Sequence, residues 1–336
     1  MNQAEPLLSV RGLQSYYPIR GGVLSQVTGH IKAVDGVSFD IFPHETLGLV
    51  GESGCGKSTI GRAIMHLETI TGGTVLFDGE DTSSYTWKEM RSVWPRMQMV
   101  FQDPYSSLNP RKSVESTLTE ILRTHRIVSP SQTAEEIERI LRLIGLPPES
   151  KRRFPHEFSG GQRQRICIAR ALTLRPKFLI CDEAISALDV SIQAQILGLF
   201  RELQGQLGLT YLFIAHSLGA VKYLSSRIAV MYLGKIVELA PTELIFSNPR
   251  HPYTQALLSA YPDPNPENRE TEKIILPGQP PSAANPPRGC HFNTRCPFRQ
   301  NRCGEEEPEL KEEPGSSHHL ACHFSITRSD WKGIKA

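Results

Sequence analysis

The 336-residue chain predicts an α/β fold built on a largely parallel sheet, and three observations lead there. Between Ile31 and Met231, short apolar runs alternate with longer amphipathic stretches, the arrangement of successive βα units. Three of these runs end in polar residues: Thr46 to Val50 leads into a glycine-rich turn, Phe178 to Cys181 into Asp182 and Glu183, and Leu209 to Ala215 into His216. Open α/β sheets bind ligands at such strand ends, so one nucleotide-sized site is expected to gather all three. The third observation is the turn itself. Gly51-Glu-Ser-Gly-Cys-Gly56-Lys57-Ser58 matches G-x-x-x-x-G-K-[ST] at every fixed position.

That turn dictates phosphate chemistry. Its glycines let backbone N–H groups point at phosphate oxygens, Lys57 neutralises β/γ charge, and Ser58 presents a hydroxyl to Mg²⁺. The helix expected over Thr59 to Leu67 adds its positive N-terminus. Gly51, Glu52, Ser53, Gly54, Cys55, Gly56, Lys57, Ser58 and Thr59 are therefore the expected ATP-binding stretch.

The remaining elements follow in order. Residues 103 to 165 read as a mainly helical insertion. Within it, Thr133 to Leu146 forms a surface helix with Thr133 and Glu136 in capping-box spacing and Ile137, Ile140, Leu141 and Ile144 on one face. Glu135 with Arg139 and Glu138 with Arg142 add i,i+4 pairs. A further helix runs from Val190 to Leu207 with Gly208 as its stop. From Pro262 to Arg288, eight prolines in 27 residues preclude regular structure and make a linker or strap. The acidic run Glu305 to Glu313 reads as a solvated face.

Composition narrows the function classes. Lys and Arg number 37 against 35 Asp and Glu, so the net charge of +2 gives no global reason to bind nucleic acid. No window approaches the roughly 18 apolar residues of a membrane span, and the first ten residues lack a signal peptide's basic start and apolar core. The chain is expected to start and stay in the cytoplasm.

A phosphate loop alone permits kinases, GTPases, motors and transporters; a second constellation separates them. Phe158-Ser-Gly-Gly-Gln162 opens a helix continuing as RQRICIARAL, and Phe178-Leu-Ile-Cys-Asp182-Glu183 is followed by Ser186-Ala-Leu-Asp189. At these residues the chain resembles the ABC-transporter ATPases, matching their signature, Walker B and D-loop in order over roughly residues 7 to 330. The resemblance implies a P-loop ABC ATPase core with a helical insertion, residues 1 to 260, followed by a strap and a small Cys-bearing domain, 261 to 336. It further implies that Ser159, Gly160, Gly161 and Gln162, which present N–H groups at a helix start, close over ATP held by an opposite subunit, with Asp189 in the D-loop. Chemistry supports the companion roles. Asp182, with Ser58 and Gln102, suits Mg²⁺; Glu183 suits polarisation of the attacking water; His216 suits the γ-phosphate, and Gln102 its sensing. Tyr17 is the candidate for stacking on adenine, with Tyr16 as its competitor.

Gln102-Asp-Pro-Tyr-Ser-Ser-Leu-Asn-Pro-Arg111, Asp189-Val-Ser-Ile-Gln-Ala-Gln195 and His251-Pro-Tyr-Thr254 resemble the oligopeptide/dipeptide/nickel importers, in particular the second of their two ATP-binding subunits. The resemblance implies an ATPase powering peptide import. It would be peripheral at the cytoplasmic face of the inner membrane, paired with a second ATPase subunit as heterodimer or homodimer. Two transmembrane permeases and an extracytoplasmic solute-binding protein would complete the system, with no nucleic acid. Two residues depart from the family pattern: Ala184 replaces the usual Pro, and Ser217 the frequent Asp. The rival classes are a soluble ABC ATPase outside transport and a redox-sensing regulator.

Cys290, Cys296, Cys303 and Cys322 are separated by five, six and eighteen residues. Spacing alone admits a metal or cluster, reduced structural thiols, or disulfides. The importer C-terminal domain, resembled at Gly289-Cys290, Arg295-Cys296-Pro297 and Ala321-Cys322-His323, implies a [4Fe-4S] cluster; His291, His318, His319 and His323 are spare ligands should the ion be Zn²⁺. With so few large apolar residues, the tail is expected to need this cross-link to fold and to leave the phosphate site unaffected when it fails.

Overall fold

The computed structural model describes residues 5–21, 25–261, 274–324 and 326–331. The chain runs β1 (Leu8–Gly21), β2 (Gln26–Ile41), β3 (Thr46–Val50), α1 (Lys57–Ile64), β4 (Gly72–Phe77), β5 (Glu80–Asp81), α2 (Trp87–Val93) and β6 (Met97–Val100). The helical stretch follows: α3 (Pro104–Ser107), α4 (Val114–Thr124), α5 (Thr133–Leu143) and α6 (Gly160–Leu172). Then come β7 (Phe178–Asp182), α7 (Val190–Leu207), β8 (Thr210–Ile214), α8 (Leu218–Leu224), β9 (Arg227–Tyr232) and β10 (Lys235–Pro241). The last elements are α9 (Thr242–Ser247), α10 (Pro252–Ser259), α11 (Asn301–Glu305), β11 (Lys311–Glu312) and β12 (His319–Leu320). Among the described residues, no helix is long and apolar enough to cross a membrane.

The chain divides into two compact units. One, the phosphate-loop unit, comprises residues 7–40, 47–83 and 225–336. Its first sheet, ordered β2-β1-β4-β5, pairs β1 with β4 antiparallel, Leu8 opposite Phe77. In its second sheet β3 lies parallel to β9, and β9, β10, β12 and β11 continue antiparallel. β3 is buried at all five residues, which is why Thr-Leu-Gly-Leu-Val reads as a continuous run rather than an alternation. The C-terminal tail belongs to this unit. Leu320 pairs with Glu238 and His319 with Leu239, so the tail extends the sheet from β10, and Phe292, Leu320 and Ala321 are buried there. Of the proline-rich stretch, residues 262–273 lie outside the described residues, and 274–288, with five prolines, contain no helix or strand.

The other unit, the helical unit, comprises residues 1–6, 41–46 and 84–224. Three parallel strands, β6, β7 and β8, are joined in register from Met97 opposite Phe178 to Asp182 opposite Ile214. The expected apolar face of α5 is buried, with Ile137, Ile140, Leu141 and Ile144 at most 1% exposed. Its start is not the expected box. Gln132 precedes the helix without a side-chain cap, and its Oε1 accepts from the Ser129 N–H at 3.3 Å and the Ser129 hydroxyl at 2.8 Å. Glu136 instead accepts from Arg139 at 2.8 Å and Arg175 at 3.1 Å, which takes Arg139 from its expected partner Glu135. The Glu138–Arg142 pair is present at 3.2 Å. α7 spans Val190–Leu207, and Gly208 ends it at φ 65°, the left-handed stop that favours glycine.

Candidate functional site

In the phosphate-loop unit, β3 delivers the chain to Gly51 and α1 carries it away from Lys57. Gly51, Gly54 and Gly56 have φ of 154°, 77° and 109°. A Cβ at Gly51 would collide with the Met231 carbonyl, and one at Gly56 with that of Ala33, so β2 and β9 hold the loop from behind. Ser53 and Gly54 form its exposed crest. Lys57 is 4% exposed, and its Nζ donates to the carbonyls of Gly51 at 2.9 Å and Glu52 at 3.0 Å. Cys55 is buried, and burial raises its thiol, so its role here is packing. Ser58 and Thr59 open α1 behind the loop, and burial foremost raises the Tyr17 hydroxyl, with Thr59 and Glu68 as its polar neighbours. Tyr16 is committed elsewhere, its hydroxyl donating to Asp35. Of the two tyrosines, Tyr17 is the one beside the helix that follows the loop.

The helical unit gathers its polar residues at the carboxyl ends of its strands. Gln102 is exposed two positions beyond β6, and Asp182 closes β7 at 2% exposure. Glu183 adopts φ 50°, with its N–H donating to Ile214 at 2.9 Å and its carbonyl accepting from Ser186 at 3.0 Å. This uncommon backbone turns the side chain to His216, whose Nε2 is 2.6 Å from Glu183 Oε1. The sequence placed both residues at strand ends but held no sign of their contact. Ser217 caps α8, its Oγ accepting from the Ala220 N–H at 3.4 Å. An Asp would cap equally well, which accounts for that departure. Ala184 is buried at 2% exposure. Asp189 caps α7, accepting from Ile192 N–H at 3.0 Å and Ser191 Oγ at 2.7 Å, and the Ser191 hydroxyl foremost depresses its carboxyl.

At the signature, Ser159 is exposed and forms a capping box with Gln162. Ser159 Oγ accepts the Gln162 N–H at 3.3 Å, while Gln162 Oε1 accepts the Ser159 N–H at 3.1 Å. Two of the donors expected to face an anion are thus bonded within the turn. The two glycines also differ. A Cβ at Gly161 would collide with Ile192 of α7, whereas one at Gly160 meets only Leu188, at 3.6 Å.

The four tail cysteines line one small cavity together with His251, Phe292, His323 and Phe324. Burial pushes the Cys290 thiol up to about 11 and the Cys296 thiol up to about 12, and raises that of Cys322. Among the described residues, no group of three or more His, Cys, Asp or Glu side chains is arranged to hold a metal ion. Three of the four spare histidines are occupied: His291 Nδ1 with the Leu233 carbonyl at 2.8 Å, His318 Nε2 with Glu238 at 2.6 Å, and His323 Nε2 with the Glu306 carbonyl at 3.0 Å. Neither the expected [4Fe-4S] cluster nor the Zn²⁺ alternative has a ligand arrangement among the described residues to support it.

Residues 34–186 match the ABC transporter family model, and residues 237–303 match the C-terminal region of oligopeptide/dipeptide transporters. The oligopeptide transport ATP-binding protein AppF of Bacillus subtilis is 51% identical over 322 residues, 95% of this chain and 98% of its own. The chain belongs to the oligopeptide-type ABC transporter ATP-binding proteins. A putative peptide import ATP-binding protein of Brucella ovis is 50% identical over 94% of this chain and 97% of its own. As an ABC ATPase the chain hydrolyses ATP, and solved cassettes share its P-loop fold. The dimeric cassette MJ0796 in a post-hydrolysis state bound to ADP and Pi has a TM-score of 0.61 at 24% identity, covering 70% of this chain and 98% of that one. CbiO1 from Clostridium perfringens, part of the cbiONQ transporter complex, has a TM-score of 0.63 at 23% identity, covering 72% and 91%.

Sequence reasoning missed a further group beside the phosphate loop. The Glu52 N–H donates to the Tyr253 hydroxyl at 2.8 Å, and both Glu52 carboxylate oxygens accept from Arg295 Nη1 at 3.1 Å. The phrase His251-Pro-Tyr-Thr254 marked the subfamily but carried no sign of this contact.

Proposed function

We propose that this ABC ATPase powers the import of peptides through a membrane transporter, at the cytoplasmic face of the inner membrane. The observation that carries this reading is identity of 51% to an oligopeptide transport ATP-binding protein across 95% of the chain. It works as a dimer with a second ATPase subunit, under two permeases, with a solute-binding protein supplying the peptide outside. Residues 1 to 260 form the nucleotide-binding part and 261 to 336 the strap and tail. Affinity purification from membranes tests the assignment. Two permeases and an ATPase partner are expected, whereas recovery of the chain without permeases favours the non-transport classes.

In this reading the loop from Gly51 to Thr59 holds the ATP phosphates, with Lys57 exchanging its loop carbonyls for phosphate oxygens, and Tyr17 stacks on adenine. Ser58, Gln102 and Asp182 hold Mg²⁺, which neutralises phosphate charge when bound. Glu183 polarises the attacking water, and His216 orients that carboxylate while reaching the γ-phosphate. Ser159 to Gln162 close over the partner's nucleotide, and Asp189 stays at the dimer face.

For the tail we favour a [4Fe-4S] cluster on Cys290, Cys296, Cys303 and Cys322. The four thiols line one cavity together, which supports the reading that they share one centre. Anaerobically purified protein is expected to contain iron and sulfide near cluster stoichiometry. Zinc, or no metal with a protease-resistant tail, would refute the cluster.

A further inference from the structure

The tail and the phosphate loop meet through one ion pair. Glu52 is the second residue of the loop, and its side chain is 30% exposed; that of Arg295 is 9% exposed. The arginine arrives from the tail, immediately before Cys296, and is fixed on three sides. Its Nε donates to the Pro277 carbonyl at 3.3 Å, its Nη1 reaches both oxygens of Glu52, and its guanidinium carbon lies 5.9 Å from the Tyr232 ring centroid. Behind it, Tyr232, Tyr253 and Phe292 form an aromatic group with ring centroids 4.8 to 5.6 Å apart. Each ring ties a different part of the chain: Tyr232 ends β9, Tyr253 holds the Glu52 N–H from α10, and Phe292 belongs to the tail.

The electrostatics give this arrangement a direction. A carboxylate on the second residue of a loop that receives a triphosphate is a like charge close to the ligand. Arg295, well buried and bonded to both carboxylate oxygens, neutralises it and pins the loop to the tail at the same time. We propose that Arg295 is a positioning residue of the ATP site, which tunes ATP affinity through Glu52 and so couples the loop to the fold of the C-terminal tail. Because coupling is reciprocal, ATP at the loop stabilises the tail by the same free energy. This goes beyond the transport reading and does not depend on which metal the cysteines hold.

The test uses the full chain and a fluorescent ATP analogue with Mg²⁺. Arg295→Gln is expected to weaken binding about five- to tenfold, the lower range of typical site-to-site coupling. Adding Glu52→Gln to that variant is expected to recover most of the loss, because it removes the carboxylate left unpaired. A variant that had merely unfolded its tail would not recover. Wild-type binding by Arg295→Gln, or a double variant as weak as the single, overturns the proposal. A second measurement reads the reverse direction: the ATP analogue should slow amide hydrogen exchange over residues 289–303 in the wild type and not in Arg295→Gln. No protection in the wild type overturns the coupling. Lys57→Ala, which removes the phosphate contact itself, distinguishes a failure of ATP binding from a failure of coupling: if it binds as well as wild type, the phosphate-loop reading is at fault instead.

Discussion

Glu183 and Lys57 contribute to one reaction by different physical means, and their variants should separate accordingly. With Lys57 proposed to supply charge to the phosphates, Lys57→Ala is expected to abolish tight nucleotide binding. Glu183, on a backbone held at φ 50°, is proposed to supply a carboxylate to the attacking water. Glu183→Gln keeps the shape and the 2.6 Å approach to His216, and should spare binding while lowering turnover by roughly 10² to 10⁴. Equilibrium binding and steady-state hydrolysis, both in the assembled complex, check the pair. The signature glycines require equal care. Gly161 is packed against Ile192, so Gly161→Asp would disturb α7 and cost about 1 to 3 kcal/mol of stability, confounding any effect across the dimer. Gly160 has room for a side chain, and Gly160→Asp places a like charge near the partner's phosphate. It is expected to fold normally, bind ATP at its own loop, and stop hydrolysis in the dimer; normal hydrolysis would remove the signature from the partner's site.

At the scale of elements, α5 illustrates how an ion pair replaces a cap. Glu136 is 7% exposed and joins its own helix through Arg139 to Arg175, beyond α6. The Arg139 hydrogen bond foremost, with Arg175, holds its carboxyl below the usual glutamate value, against desolvation. A carboxyl depressed on folding binds fewer protons in the native state, so its stabilisation is present above about pH 4.5 and fades as pH falls below that. Glu136→Gln should therefore cost about 1 kcal/mol at pH 7, in line with partly exposed pairs, and less near pH 3. Denaturant unfolding of both proteins at the two pH values measures this; an equal loss at both would mean the pair acts through packing alone.

For the whole molecule, the expectation concerns which segment meets the permeases. The helical unit carries the segment from Asp103 to Arg165, the proposed docking surface. Its Tyr105 is 66% exposed, with the Arg163 guanidinium 4.0 Å from the ring centroid. The isolated chain should be a poor ATPase that gains activity on assembly with permeases, and cross-links from the complex should fall within residues 103 to 165. Cross-links confined to the tail would move the docking surface there.

The sequence by itself determined whatever depends on near neighbours along the chain. The G-x-x-x-x-G-K-[ST] loop, the buried runs that became β3, β7 and β8, the apolar face of α5 and the Gly208 stop of α7 are all patterns of a few residues, set by glycine's freedom and by the periods of helix and strand. Competition among close alternatives already escaped it: Thr133 and Glu136 have the spacing of a capping box, but Glu136 pairs with Arg139 and Arg175 instead. The pairing of Glu183 with His216 and the docking of the tail on β10 needed the strands in register first. Glu52 and Arg295 stand 243 positions apart, and nothing local to either residue selects the other. Only packing that brings β9, α10 and the tail together decides such a contact, because its free energy is gained after the chain between them has been ordered.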